Sequence, residues 1–349
     1  MSRERDSAGQ LYANKTRFPS GIKELSKFMH DRGLKLGIYE DYGTKTCGGY
    51  PGSINNLKTD ADSFAAWDVD FLKFDGCYAD VDTYTHGYPE MGRFLNATGR
   101  PIAYSCSWPA YLIDQPKKQD YKLISQHCNV WRNFDDISMS WASIQSIINY
   151  YDHNQDRQIP YHGPGHWFDP DMTDSMSRQR KTVANVDFSV FQIIAGNTEI
   201  TYDQARTQMS LWSIWSAPLI MSNDLRTVDA ESKAILLNAE VIAIDQDPMG
   251  MMGRLVANTS DIGVYVKPVV PRDTAKGLTS YAVAIFNRSN KKQDVEIQLS
   301  QLGLKNVDGY NVRDLWNQEN LGRLKATDSF KFRVNPTATV LVKCSLPNL

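Results

Sequence analysis

The sequence has no apolar run approaching the roughly 18 residues that span a bilayer, and its opening MSRERDSAGQ has no apolar core of the kind a secretory leader carries. Nor does one sign of charge dominate, since 38 Lys and Arg stand against 40 Asp and Glu. Because no basic run interrupts the chain, the electrostatic case for a nucleic acid or an anionic membrane fails, and a neutral small molecule is the expected partner. Cysteine is sparse, five in 349 residues, with no CxxC pair and no His cluster beside it, so no zinc site is expected.

What is present points elsewhere. The five cysteines, Cys47, Cys77, Cys106, Cys128 and Cys344, allow two bridges and a leftover thiol. Four Asn-X-Ser/Thr sequons, at Asn14, Asn96, Asn258 and Asn287, fit an exported protein. Together they favour an oxidising compartment, against the absent leader. The length suits a large barrel followed by a smaller domain.

Short apolar runs recur along the first two thirds: LKLGIYED (34–41), VDFLKFDG (69–76), PIAYSCSW (101–108), CNVWRNF (128–134), GHWFDPDM (165–172) and APLIMSNDL (217–225). Each reads as a buried strand. Between them IKELSKFMHDRG, ADSFAAWD, SWASIQSIINYYDHNQ and ARTQMSLWSIWSA carry helical periodicity, so the pattern is βαβα with parallel strands. Residues 1–254 are therefore read as an α/β unit of the (β/α)8 TIM-barrel type, with polar and aromatic residues gathered at the carboxyl ends of the strands. From 255 to 349 the period changes to short alternating strands such as SYAVAIFNRS and ATVLVKC, the pattern of an antiparallel β-sandwich domain. Only six βα units are visible where a closed barrel uses eight, so two are expected to be missing before residue 20. The polar, aperiodic stretch 173–192 reads as an insertion.

Paired carboxylates are the candidate chemistry. Glycosidic cleavage by double displacement needs one carboxylate to attack the sugar and a second, roughly 5 to 5.5 Å away, to protonate the departing oxygen. Asp75 ends the run FLKFD, with Lys73 two residues earlier on the same strand face, where a cation favours the ionised acid. Asp-Gly is also a common turn pair, so Asp75 could simply open the turn in DGC. Asp135 and Asp136 follow WRNF, near Arg132, and either could instead cap a helix beginning near Ser140. His162 and His166 in HGPGH are separated by a helix-breaking Gly-Pro-Gly and read as a strand-entry loop rather than metal ligands. Tyr39, Trp108, Tyr111, Trp131 and Trp167 offer flat faces for a sugar, although core packing accounts for most of them equally well.

The strings GLKLGIYEDYG, TKTCGGYPGS, WDVDFLKFDGC, NATGRPIAYSCSWPAY, CNVWRNFDDI, DPDM, LWSIWSAPLIMSNDL and IAIDQDPMG occur in the order found in glycoside hydrolase family 27, and the chain resembles that family of α-galactosidases and α-N-acetylgalactosaminidases over nearly its whole length. The resemblance implies Asp75 as nucleophile and Asp136 as general acid/base. It implies a sugar pocket lined by Tyr39, Cys47, Lys73, Cys77, Tyr111, Arg132, Asp171 and Met172, and bridges Cys47–Cys77 and Cys106–Cys128 with Cys344 unpaired. No metal or organic cofactor is implied.

In family members that prefer plain galactose, an acid and an aliphatic stand at the places of Ser107 and Ala110. The small residues here leave room for an acetamido group, which the serine hydroxyl can reach. Terminal α-linked N-acetylgalactosamine on glycolipids, glycoproteins or oligosaccharides is thus the expected substrate, with α-galactose weaker; the alternatives are an α-galactosidase of the same family and a non-catalytic sugar-binding product. A lysosomal or secreted homodimer is the family expectation. Phe168 stands where the family has an Asn, and a stacking Trp and an Asp pair are missing with the first two units, so little turnover is expected of this chain.

Overall fold

The computed structural model describes residues 1–171, 193–196, 199–221 and 223–347. It divides into two compact units, Met1–Phe134 and Asp135–Leu349.

The first unit alternates helix and strand: α1 (Gly21–His30), β1 (Gly37–Asp41), α2 (Leu57–Ala66), β2 (Phe71–Asp75), α3 (Tyr84–Ala97), β3 (Ala103–Cys106), α4 (Tyr121–His127) and β4 (Val130–Arg132). These strands pair in parallel, each beside its chain neighbour. Parallel pairing follows from the crossover helices, which return the chain to the same sheet edge before each strand. Inside, Phe74 of β2 meets Tyr88 of α3 edge-on at 5.5 Å and Tyr104 of β3 at 5.9 Å. The N-cap of α4 is Asp120, whose carboxylate accepts from the Leu123 amide at 3.0 Å.

A buried brace secures the loop after β1. Arg5 forks onto Asp60 of α2 at 2.6 and 2.7 Å, and also donates to the carbonyls of Gly9 and Gly52. The Ser53 hydroxyl donates to the same carboxylate at 2.6 Å. This bidentate pair ties the amino-terminal segment to the loop that carries Cys47.

The second unit opens with α5 (Trp141–Gln158), whose N-cap is Ser140, accepting from the Ser143 amide. Neither Asp135 nor Asp136 serves as that cap. The strand β5 (Trp167–Asp169) follows a tight turn in which Gly163 and His166 exchange backbone hydrogen bonds, the strand-entry loop read from HGPGH. Phe168 is buried in an aromatic cluster with Tyr151 and His162. The sixth expected strand, APLIMSNDL, is reduced among the described residues to a single parallel bridge between Ile193 and Met221. Pro218 removes a backbone donor from that run, and the Ile220 amide turns back to the Pro218 carbonyl instead.

After α6 (Tyr202–Trp215), α7 (Ala230–Leu236) and α8 (Ala239–Asp245) come eight strands: β6 (Arg254–Asn258), β7 (Ile262–Asp273), β8 (Leu278–Asn287), β9 (Gln293–Gln298), β10 (Tyr310–Asp314), β11 (Glu319–Leu324), β12 (Ser329–Val334) and β13 (Thr339–Ser345). Six form an antiparallel sheet ordered β11-β10-β13-β8-β7-β6, and β12 pairs with β9. Alternate residues Val264 and Val266, and Val283 and Ile285, join Phe330, Val334 and Val342 in the sandwich core, as strand periodicity requires. The free thiol of Cys344 lies in this core and is held protonated by burial. The opposite face of the sheet meets α6, where Thr339 donates to the Thr207 hydroxyl.

Candidate active site

The parallel register sets the site. Tyr39 of β1 is level with Lys73 of β2, and Asp41 is level with Asp75, so two strands end on carboxylates side by side. Strand pleating puts Tyr39 and Asp41 on one face, as it does Lys73 and Asp75. This is the carboxyl end of the sheet, where α/β barrels hold their reactive groups.

Asp75 is gripped from several directions. Tyr39 donates to its Oδ2 at 3.0 Å and Tyr111 to its Oδ1 at 2.9 Å, while the Arg132 guanidinium lies 3.6 Å from Oδ1. The following Gly76 amide donates to the same oxygen at 2.9 Å, so the turn role and the charged role coexist in one residue. Burial pushes the Asp75 pKa up, but the Arg132 and Lys73 cations and these donors outweigh it, and the acid is held below its usual range. Asp75 is thus ionised. Burial first, then the neighbouring carboxylate, drives the Tyr39 and Tyr111 phenols upward, so both stay protonated and donate. Arg132 also lies over the Tyr111 ring at 5.8 Å.

Gly76 is required by this packing. A Cβ there would lie 2.5 Å from the Tyr84 oxygen and 2.9 Å from the Tyr111 ring. Tyr84 donates to the Gly76 carbonyl at 2.5 Å, fixing the turn that presents Asp75.

Asp41 carries no signature in the sequence, and the register shows why it matters. Its carboxylate accepts from the amides of Cys77 at 2.9 Å and Cys47 at 3.2 Å, the two residues joined by a disulfide with Cα atoms 5.2 Å apart. Burial, then the charge of Asp75, pushes its pKa up to about 8. Two adjacent acids are therefore driven apart, one ionised and one protonated at acid and neutral pH. The available signal was GIYED ending on an acid in the same way as FLKFD. Asp41, Cys47 and Cys77 lie close enough to suggest a metal, but both sulfurs are spent in the disulfide.

A second bridge, Cys106 to Cys128, ties the end of β3 to the start of β4, as the resemblance implied. Just beyond β3, the Ser107 amide donates to the Phe74 carbonyl, and the Ala110 amide to the Ser107 carbonyl, in a short 3-10 turn over Trp108–Leu112. Ser107 is fully buried, and among the described residues its hydroxyl has no hydrogen-bond partner. Trp108 and Trp131 are core residues, not platforms, for both are completely buried.

The first unit thus brings together Tyr39, Cys47, Lys73, Asp75, Cys77, Tyr111 and Arg132, with Ser107 and Ala110 at the next strand end. In the second unit Asp136 lies between β4 and α5, and the buried Asp171 carboxylate accepts from the amide of its neighbour Ile137. Met172 and the stretch 173–192 lie outside the described residues. His162 is an interior residue: burial lowers it to about 3, and its neutral Nδ1 accepts from the Phe168 amide.

An ionised strand-end carboxylate, clamped by two phenols and a guanidinium in a βαβα unit and followed in the chain by a β-sandwich, defines the class as a glycoside hydrolase. The family model described as Alpha galactosidase A matches residues 1–177 and 186–247, and that of the Alpha galactosidase C-terminal beta sandwich domain matches 259–344. The chain is 42% identical over 342 residues to α-N-acetylgalactosaminidase of Gallus gallus, covering 97% of this chain and 78% of that protein. To α-galactosidase A of Homo sapiens it is 41% identical over 349 residues, covering 98% and 75%. Among solved structures, α-galactosidase I of Mortierella vinacea matches with a TM-score of 0.82 at 27% identity, covering 98% of this chain and 84% of that one. The chain belongs to the α-galactosidase and α-N-acetylgalactosaminidase family, glycoside hydrolase family 27.

Proposed function

We propose that this chain is a retaining exo-glycosidase that removes terminal α-linked N-acetylgalactosamine, and more slowly α-galactose, from glycolipids, glycoproteins or oligosaccharides. The observation that carries the reading is Asp75, kept ionised by Arg132 and Lys73 despite deep burial. An anionic, oriented carboxylate is what attack on an anomeric carbon needs. In the proposed sequence Asp75 attacks that carbon while Asp136 protonates the leaving oxygen. Asp136 then deprotonates water, which opens the glycosyl ester and returns the sugar with its configuration retained.

The preference for the acetamido sugar rests on Ser107 and Ala110. A buried hydroxyl without a partner costs about 1–3 kcal/mol until something bonds it, and an acetamido group supplies such a partner beside the small Ala110 side chain. The naming of the Gallus gallus relative agrees with this preference. Export to a lysosomal or extracellular setting is the part of the reading that the two disulfides support. A homodimer is carried over from the family alone. Among the described residues, no helix is long and apolar enough to cross a membrane.

The test is the ratio of rates on nitrophenyl α-N-acetylgalactosaminide and nitrophenyl α-galactoside, for the natural chain and for Ser107→Glu with Ala110→Leu. The natural chain should favour the acetamido substrate, and the double substitution should reverse the preference by about 10- to 200-fold. Faster galactoside turnover by the natural chain would remove the acetamido assignment. Binding of either sugar without turnover of both would remove the hydrolase reading.

A further inference from the structure

The four sequons are the one motif set that the active site does not use, and the structure separates them by what each amide is already doing. Asn258 is the last residue of β6, exposed at the turn into β7 and, among the described residues, paired only through its backbone with Gly263. The turn holds itself together without its side chain, since the Thr259 hydroxyl accepts from the amides of Asp261 and Ile262. Asn96 is similarly exposed, in the last turn of α3.

Asn287 is the opposite case. It is fully buried at the end of β8, and its Nδ2 donates to the carbonyls of Lys291 at 2.7 Å, Asn335 at 2.9 Å and Val334 at 3.1 Å. Its Oδ1 accepts from the amide and hydroxyl of Ser289, so the third residue of the sequon is engaged as well. This amide ties the end of β8 to the 288–291 turn and to the chain following β12. It is a structural joint, and a buried amide stripped of such partners is costly.

We infer that the folded chain carries an N-linked glycan on Asn258 and none on Asn287. The inference rests on the exported setting proposed above. In the transfer, the Asn258 Nδ2 forms a bond to C1 of an oligosaccharide as the bond from C1 to the pyrophosphate of its lipid donor breaks. The amide gives up one proton, and the lipid pyrophosphate departs. The same reaction at Asn287 would leave a single N–H where three carbonyls now converge and would set a hydrated sugar in a closed interior. Any chain so modified could not complete the sandwich, so the folded, secreted population excludes it.

The experiment is secretion of the full chain behind a cleavable leader from a eukaryotic host, followed by enzymatic glycan release in heavy-oxygen water and peptide mass spectrometry. Label is expected at Asn96 and Asn258 and not at Asn287, and Ser260→Ala should remove one glycan while leaving the secreted yield unchanged. An unlabelled Asn258 beside a labelled Asn96, or label at Asn287 in protease-resistant secreted protein, overturns the inference. Absence of label at every site, Asn96 included, overturns the export reading and the inference with it.

Discussion

Two buried lysines, Lys73 in β2 and Lys267 in β7, show what separates the two units of this molecule. Lys267 spends its ammonium on the architecture. It donates to the Ser213 carbonyl at 2.9 Å, the Ser216 hydroxyl at 2.6 Å and the Ile244 carbonyl at 2.5 Å. These acceptors lie at the carboxyl ends of α6 and α8, where a cation complements the helix dipole, and burial lowers its pKa to about 8. Lys73, equally deprived of water, acts on the ionisation of Asp75. The lesson is that a charge excluded from water marks function only where it biases the protonation of a group that substrate must meet.

That comparison can be broken at either lysine or at the acid between them. The largest effect should come from Asp75→Asn, with kcat lost by about ten-thousand-fold or more. A mutant retaining a tenth of the activity would remove Asp75 from the chemistry. Next, Lys267→Met leaves three buried acceptors unserved and should cost about 3 kcal/mol in urea unfolding, while activity per folded molecule stays unchanged. If Lys267→Met were silent in stability, the architectural half of the comparison would fail. Lys73→Met should instead move the acid limb of the pH–rate profile upward, because Asp75 loses a cation that favours its charge.

The last effect is on stability against pH. Asp41 has its pKa raised in the folded chain to about 8, above the 3.8 of a free aspartate, so folding favours its protonated form. The stability this group contributes is full below about pH 4 and is lost as pH rises through about 8. Melting temperatures measured across that window should fall for the natural chain and run flatter for Asp41→Asn, whatever the absolute midpoint of the mutant. An equal slope in both would show that Asp41 does not titrate there.

Most of the α/β unit was legible beforehand, because its strands are short apolar runs ending in polar residues and its helices are periodic. Five of the six expected strands formed within those runs. Of the sixth, the described residues show the single bridge between Ile193 and Met221, in a run where Pro218 has no backbone donor to give. The possible N-cap role of Asp135 or Asp136 went to Ser140, which lies immediately before the helix and can reach the Ser143 amide. Phe168 removes the hydrogen-bonding side chain that the family has there, and its buried contacts with Tyr151 and His162 give it a packing role of its own. Asp41 escaped notice since a lone acid after GIYE has no signature until another strand is laid beside it in register.

The primary structure by itself determined the order of helices and strands, the change to antiparallel strands after the α/β region, and the presence of Asp75 with Lys73 two residues behind it. These depend on periodicity and nearest neighbours, which are properties of the chain read locally. Only the tertiary structure decided that Asp41 would sit beside Asp75, that Tyr111 and Arg132 would hold the charge on it, and that Asn287 would be a joint while Asn258 stayed open. Protonation and accessibility are set by burial and by charges brought together from distant segments, so they do not exist until the chain has folded.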